Sequence, residues 1–107
     1  MIISGVVEFP PGVSLTVRVL RISIRTVAPA DAPDDELAAA VLPDIVVHPS
    51  GTAVPFTVSV DVPAGTDVAV RAHADVNGTG RVEVGDLVST ARHLYPASDL
   101  VVPLERV

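Results

Sequence analysis

VSLTVRVLRISIR, residues 13–25, is the stretch whose reading decides the fold. Val13, Leu15, Val17 and Val19 alternate with Ser14, Thr16 and Arg18. The phase then slips by one, and Leu20, Ile22 and Ile24 alternate with Arg21, Ser23 and Arg25. Successive side chains of a strand point to opposite faces, so this alternation describes a strand with one buried face. A one-residue slip would turn the apolar set to solvent unless the backbone absorbs it. A β-bulge at Val19-Leu20, or a strand bending from one sheet to the other, is therefore expected.

The same grammar continues outward. Ile2 to Phe9 reads as a strand ended by Pro10-Pro11-Gly12. Downstream, Phe56, Val58, Val60 and Val62 alternate with Thr57, Ser59 and Asp61, and Val68, Val70, Ala72 and Ala74 alternate with Arg71, His73 and Asp75. Pro49-Ser50-Gly51 and Pro63-Ala64-Gly65 supply turns between these runs. Val82 and Val84 suggest a shorter strand, and Leu100 to Leu104 a last one, with Pro103 marking an edge. Asp31 to Val47 is two-sided. Asp31, Pro33, Asp34, Asp35 and Glu36 before Leu37-Ala38-Ala39-Ala40 resemble a helix start, whereas Pro43 stops any helix early. An extended segment, with at most one helical turn at its start, is the expectation.

Composition agrees. The 107 residues are 49% hydrophobic but only 3% aromatic, so Val and Ala form the core material, and ten prolines and seven glycines punctuate the chain. β-Branched Val suits a pleated, half-buried surface. The expected architecture is a single all-β domain over 1–107, an antiparallel β-sandwich or partly open barrel of about seven or eight strands. The net charge of −6, with no basic patch interleaved with aromatics, argues against a nucleic-acid partner. The absence of Cys removes thiol catalysis, thiolate metal sites and disulfides. MIISGVVEF has no basic n-region and too short an apolar run for a signal peptide, and no stretch is long enough to span a membrane, so a soluble chain is expected.

One string carries chemistry. DVNGTGRVEVGD, residues 75–86, follows the calcium-loop pattern D-x-[DN]-x-[DN]-G, with a carboxylate at its twelfth position, at every place but the fifth. Asp75, Asn77 and Thr79 take the first, third and fifth ligand places, Gly80 the sharp turn, Glu83 the ninth place and Asp86 the last. Ca²⁺ needs six to eight hard oxygens on a flexible frame, which such a loop could present. The string looks like the calcium loop of dockerin modules. Thr79 replaces a carboxylate, Asp86 is shorter than the usual Glu, and a strand pattern precedes the loop where a helix is usual. The competing reading is a solvated hairpin tip, for which Asn77-Gly78 is a strong signal. A helical reading of LVSTARHL, from Leu87 to Leu94, would favour the ion.

Other constellations are weaker. His48, His73 and His93 share no ligand spacing, and no nucleophile elbow or phosphate loop is present. Arg18, Arg21 and Arg25 would form a stripe on the polar face of the second strand, which serves edge protection or an anionic partner. Catalysis finds no support, and the expectation is a protein that is not an enzyme.

The order of these pieces resembles the small lipoproteins of the YbaY/YscW type, some of which act as pilotins for type III secretion. The resemblance rests on VVEFPPGVSLTVRVL (6–20), ADAPDDELAAAVL (30–42), VPFTVSVD (54–61) and VAVRAHADVNGTGRVEVGDLVST (68–90). It implies a seven- or eight-stranded sandwich or barrel, strand over helix after Ala38 and after Asp86, and a hairpin tip at 75–86. That family's lipid-attachment Cys has no counterpart here, so the anchored role does not carry over. Two functions follow as expectations. One is a non-catalytic protein-binding or chaperone-like, pilotin-like module that offers a sheet edge or face to a partner or to its own copy. The other is a calcium-stabilised domain with Asp75, Asn77, Thr79, Glu83 and Asp86 as ligands.

Overall fold

The computed structural model describes residues 1–27, 35–89 and 100–107, and the backbone of 93–95. The described residues contain strands and no helix: β1 (Ile2–Phe9), β2 (Leu15–Thr26), β3 (Glu36–Val47), β4 (Thr52–Ser59), β5 (Val68–Asp75), β6 (Leu87–Val88), β7 (His93–Tyr95), β8 (Val101–Pro103) and β9 (Glu105–Arg106). They form two open sheets, β4-β1-β8 and β3-β2-β5-β6-β9, with β7 also pairing β5. The architecture is the expected sandwich of open sheets, completed by short strands, of which β6 and β9 are two residues each. One pairing departs from an all-antiparallel arrangement, since β8 runs parallel to β1.

β1 and β4 form one ladder, from Ile2↔Ser59 to Phe9↔Thr52. The amide of Gly12 donates to the Pro49 carbonyl across the next gap (2.8 Å), and the pairing resumes as Leu15↔Val47 between β2 and β3. β1–β2 and β4–β3 are therefore one two-stranded ribbon, folded at residues 10–14 and 48–51, that runs through both sheets. Ile3, Val7, Val17, Leu20, Ile22, Ile24, Val70 and Leu87 are fully buried between its layers. At roughly 2 kcal/mol for each buried aliphatic side chain, this Val- and Ile-rich layer carries most of the core, with Phe9 and Phe56 the buried aromatics among the described residues.

The phase slip in β2 is real but is absorbed in neither expected way. Val17 and Leu20 are both fully buried although three residues apart. The rungs Val17↔Ile45 and Val19↔Pro43 keep one register on either side of Arg18 and Asp44, so no residue is inserted there. Instead both strands turn over together. Asp44 takes φ = +52°, the left-handed conformation that Asp tolerates better than bulky residues. β2 stays within one sheet, and the register shift falls later, between Ile24 and Arg25.

The Asp31–Val47 segment is strand from Glu36 onward, as the extended reading required. Residues 31–34, where the helix-start signal lay, are outside the described residues, as are 90–92 of the LVSTARHL segment and the side chain of His93. Leu87-Val88 and His93–Tyr95 are strands. Val82 and Val84 form no strand and stand exposed, Val84 at 90%.

Candidate functional site

The hairpin from β5 to β6 is organised by two buried carboxylates. Asp75 ends β5, and its Oδ1 accepts from the amides of Gly78 (3.0 Å) and Thr79 (3.2 Å), while Oδ2 accepts from Gly80 (2.7 Å). Gly78 and Gly80, at φ = +72° and +81°, let the backbone curl its N–H groups around that side chain. Asp75 thus holds the amides of 78–80 and Asp86 holds that of Glu83, between Val82 and Val84, which enter no strand. Further out, the Thr79 hydroxyl donates to the Glu83 carboxylate and lies 3.3 Å from the Arg81 carbonyl.

Asp86 closes the loop from the other side and is 1% exposed. Its Oδ1 accepts from the Val76 amide (3.1 Å), and its Oδ2 accepts from the Glu83 amide (3.1 Å) and from Nε2 of His73 (2.8 Å). Burial by itself raises the pKa of this carboxyl. The His73 hydrogen bond, the two amides and the charge of His73 outweigh that effect and hold it below the usual carboxylate value. Asp75, Asp86 and His73 bring ligand atoms within 4.8 Å of one another.

Of the five residues expected to bind an ion, Asp75 and Asp86 thus meet, Thr79 and Glu83 pair nearby, and Asn77 is exposed and joins neither group. His73 is the member that sequence reasoning left out. It sits on the polar face of β5 opposite Val88 of β6, which places it beside Asp86 once the hairpin closes. Pairing β5 with the Leu87-Val88 run would have revealed it.

A second feature lies on one side of the sandwich. The segment Val101–Arg106 passes from one sheet to the other: β8 pairs β1, the Leu104 amide donates to the Glu8 carbonyl (2.9 Å), and β9 pairs β6. That side is closed. On the opposite side β3 and β4 are the outer strands of their sheets, and no described strand pairs with their outer edges. Pro43 and the left-handed Asp44 interrupt the edge of β3, and Pro55 lies within β4. Leu37 to Leu42 carries neither a proline nor a charge. Leu37, Ala38, Ala40 and Leu42 there are only half-buried against the core, and Val41 is 53% exposed on the outer face. Natural sheets blunt such edges with charge, proline or cover; this stretch has none of its own.

The fold resembles that of a solved pilotin. The structure of an alternative pilotin from the type II secretion system of Vibrio cholerae aligns with a TM-score of 0.69 at 20% identity, covering 97% of this chain and 92% of that one. At that identity the likeness establishes the fold. No family model and no curated protein matches the sequence. No helix among the described residues is long and apolar enough to cross a membrane.

The outer face of the larger sheet in this pilotin-like fold carries a groove of about 530 Å³ lined by Arg21, Ser23, Arg25, Glu36, Arg71 and His73 among others. Cross-strand register sets the rows: Val41, Arg21 and His73 in one, Ala39, Ser23 and Arg71 in the next, and Glu36 with Arg25 beyond. The expected arginine stripe is therefore split. Arg18, on the far side of the turnover at Asp44, lies against Gly78 of the hairpin instead, where a Cβ would stand 3.4 Å from its Cδ.

Proposed function

We propose that this protein is a non-catalytic, pilotin-like binding module that holds a partner protein by accepting one of its strands along β3 at Leu37–Leu42. The observation that carries the reading is that edge: seven residues from Glu36 to Leu42, outermost in the sheet, with apolar side chains half-buried at the rim of the core. An added strand would gain main-chain hydrogen bonds and cover that rim. The pilotin likeness supports the reading at the level of class and leaves the partner open.

A photo-crosslinking residue at Val41, in cells that express the protein, is expected to give a discrete adduct with a protein other than itself. Amides alternate in direction along a strand, so proline at one of Ala40 and Val41 spares the β2 ladder while removing an outward donor. The proline variant that keeps its melting temperature should abolish capture by a crosslinker placed at Ala39. Adducts only between copies of the chain would make the edge a homodimer interface. Adducts unaffected by that proline would exclude strand addition.

A second reading concerns the hairpin: a calcium-stabilised tip with Asp75, Asn77, Thr79, Glu83 and Asp86 as ligands. What favours it is that Asp75 and Asp86, at the two ends of the loop, bring carboxylate oxygens within 4.8 Å of each other. Against it, both oxygens of Asp75 and both of Asp86 are already engaged by donors, His73 among them. The reading expects a thermal melt in millimolar calcium to run on the order of 10 °C above the melt in EDTA, given about 2.7 kcal/mol at a hundredfold excess over Kd. Asp75→Ala should erase that difference. Equal melts in calcium and EDTA would leave the loop as a hairpin capped by its own carboxylates.

A further inference from the structure

We propose that the strand accepted by β3 is an acidic one, whose Asp or Glu side chains at alternate positions reach across β3 into the arginine-lined groove. The inference rests on the edge reading above and names the chemistry of the partner. In a chain of net charge −6, three of the seven basic side chains, Arg21, Arg25 and Arg71, line this one groove together with His73. Glu36 is the one carboxylate among the described lining residues. Arg25 and Arg71 are engaged in interactions of their own, and Arg21 remains 46% exposed while paired.

The geometry of β3 makes the reach feasible. Neighbouring strands lie about 4.8 Å apart, so a strand added outside β3 runs about 10 Å from β2. The residue of β3 between them in the middle row is Ala39, whose methyl leaves the way over it open. Arg21 and Arg25 are four residues apart on one strand, about 13 Å, so acidic side chains at every second position of an extended partner fall in step with them. Glu36 shows the same contact from within the chain. From the start of β3 its carboxylate reaches Arg21 at 2.6 Å and Arg25 at 3.9 Å, so a carboxylate carried on this edge already lies in the groove.

The test uses the whole chain and two synthetic nine-residue peptides, one alternating Thr and Glu, the other Thr and Gln. Amide chemical-shift titration reads which residues respond and how tightly each peptide binds. Both peptides should shift the amides of β3, with the Glu peptide about tenfold tighter at low salt, the sum of a few exposed ion pairs, and its advantage shrinking as salt rises. Arg21→Gln, at a half-exposed position, should leave the melting temperature unchanged and remove most of the preference. Equal binding of the two peptides overturns the acidic partner and leaves the edge reading standing. Binding of neither overturns both. A preference that survives in Arg21→Gln places the attraction elsewhere and also overturns the proposal.

Discussion

Asp86→Ala is expected to cost about 3–5 kcal/mol and to lower the melting temperature by about 15 °C. The carboxylate is 1% exposed and serves three donors at once, so its removal leaves the amides of Val76 and Glu83 and the imidazole of His73 without their acceptor. Each buried donor so abandoned costs about 1–3 kcal/mol. Asp86→Asn should cost less, because Oδ1 keeps the Val76 amide, but its new NH₂ faces two donors and cannot be neutral. The backbone of Asp86 ties in β9 through the amide of Val107 (2.9 Å), and this bond survives both substitutions. A pH series separates charge from packing. The folded-state pKa of Asp86 lies below its unfolded value, so the group adds stability above about pH 4 that is lost as pH falls through the folded value. Melts at pH 6 and pH 3 should therefore differ more for the wild type than for Asp86→Asn. Equal pH dependence in the two proteins would mean that the ionised form of Asp86 contributes no net stability.

The strands that carry the core were legible because Val and Ile repeat every second residue where one face is buried. Phe56, Val58 and Val60 and the Val68–Ala74 run appear buried as their alternation required. The features that failed to show are those set by pairing across long separations or by local polar competition. The slip at Val19-Leu20 announced an irregularity, yet its resolution lies on the partner strand, at Asp44, twenty-six residues from Arg18. Val82 and Val84 alternate about Glu83, but the Glu83 amide goes to the Asp86 carboxylate, and nothing in the pattern ranks a ladder against that side-chain acceptor. β8 pairs with β1 over three residues, in parallel, too short a run for periodicity to declare direction. At the hairpin, Asp75 and Asp86 of the string 75–86 come together with His73. His73 escaped because its link to Asp86 is written in the register of β5 against β6.

Gly5→Ala is expected to cost about 3 kcal/mol and to loosen the C-terminal segment that closes one side of the sandwich. Gly5 lies on the inward face of β1 with Ile3, Val7 and Phe9, opposite Phe56 of β4, where the alternation calls for an apolar side chain. The carbonyl of Leu100 fills that place. A Cβ on Gly5 would stand 2.3 Å from the Leu100 oxygen and 3.0 Å from its Cβ, and the oxygen belongs to the backbone, so the strand itself would have to move. That carbonyl accepts from the Val6 amide (3.0 Å), the bond that starts the β1–β8 ladder. Displacing it withdraws Leu100, Val102 and Leu104 from the core, all now at most 7% exposed. Hydrogen exchange should therefore accelerate at Val6 and across Val101–Arg106 before it does in β2 and β5, whose ladder does not involve this segment. The variant should also self-associate more readily, because freeing β8 exposes a second edge, on β1, in addition to the open edge of β3. Ser4→Ala, one residue away on the exposed face, is the control and should change neither quantity. Uniform acceleration across the chain would mean that β8 melts with the rest of the fold and that the crossing segment is not a separately releasable strap.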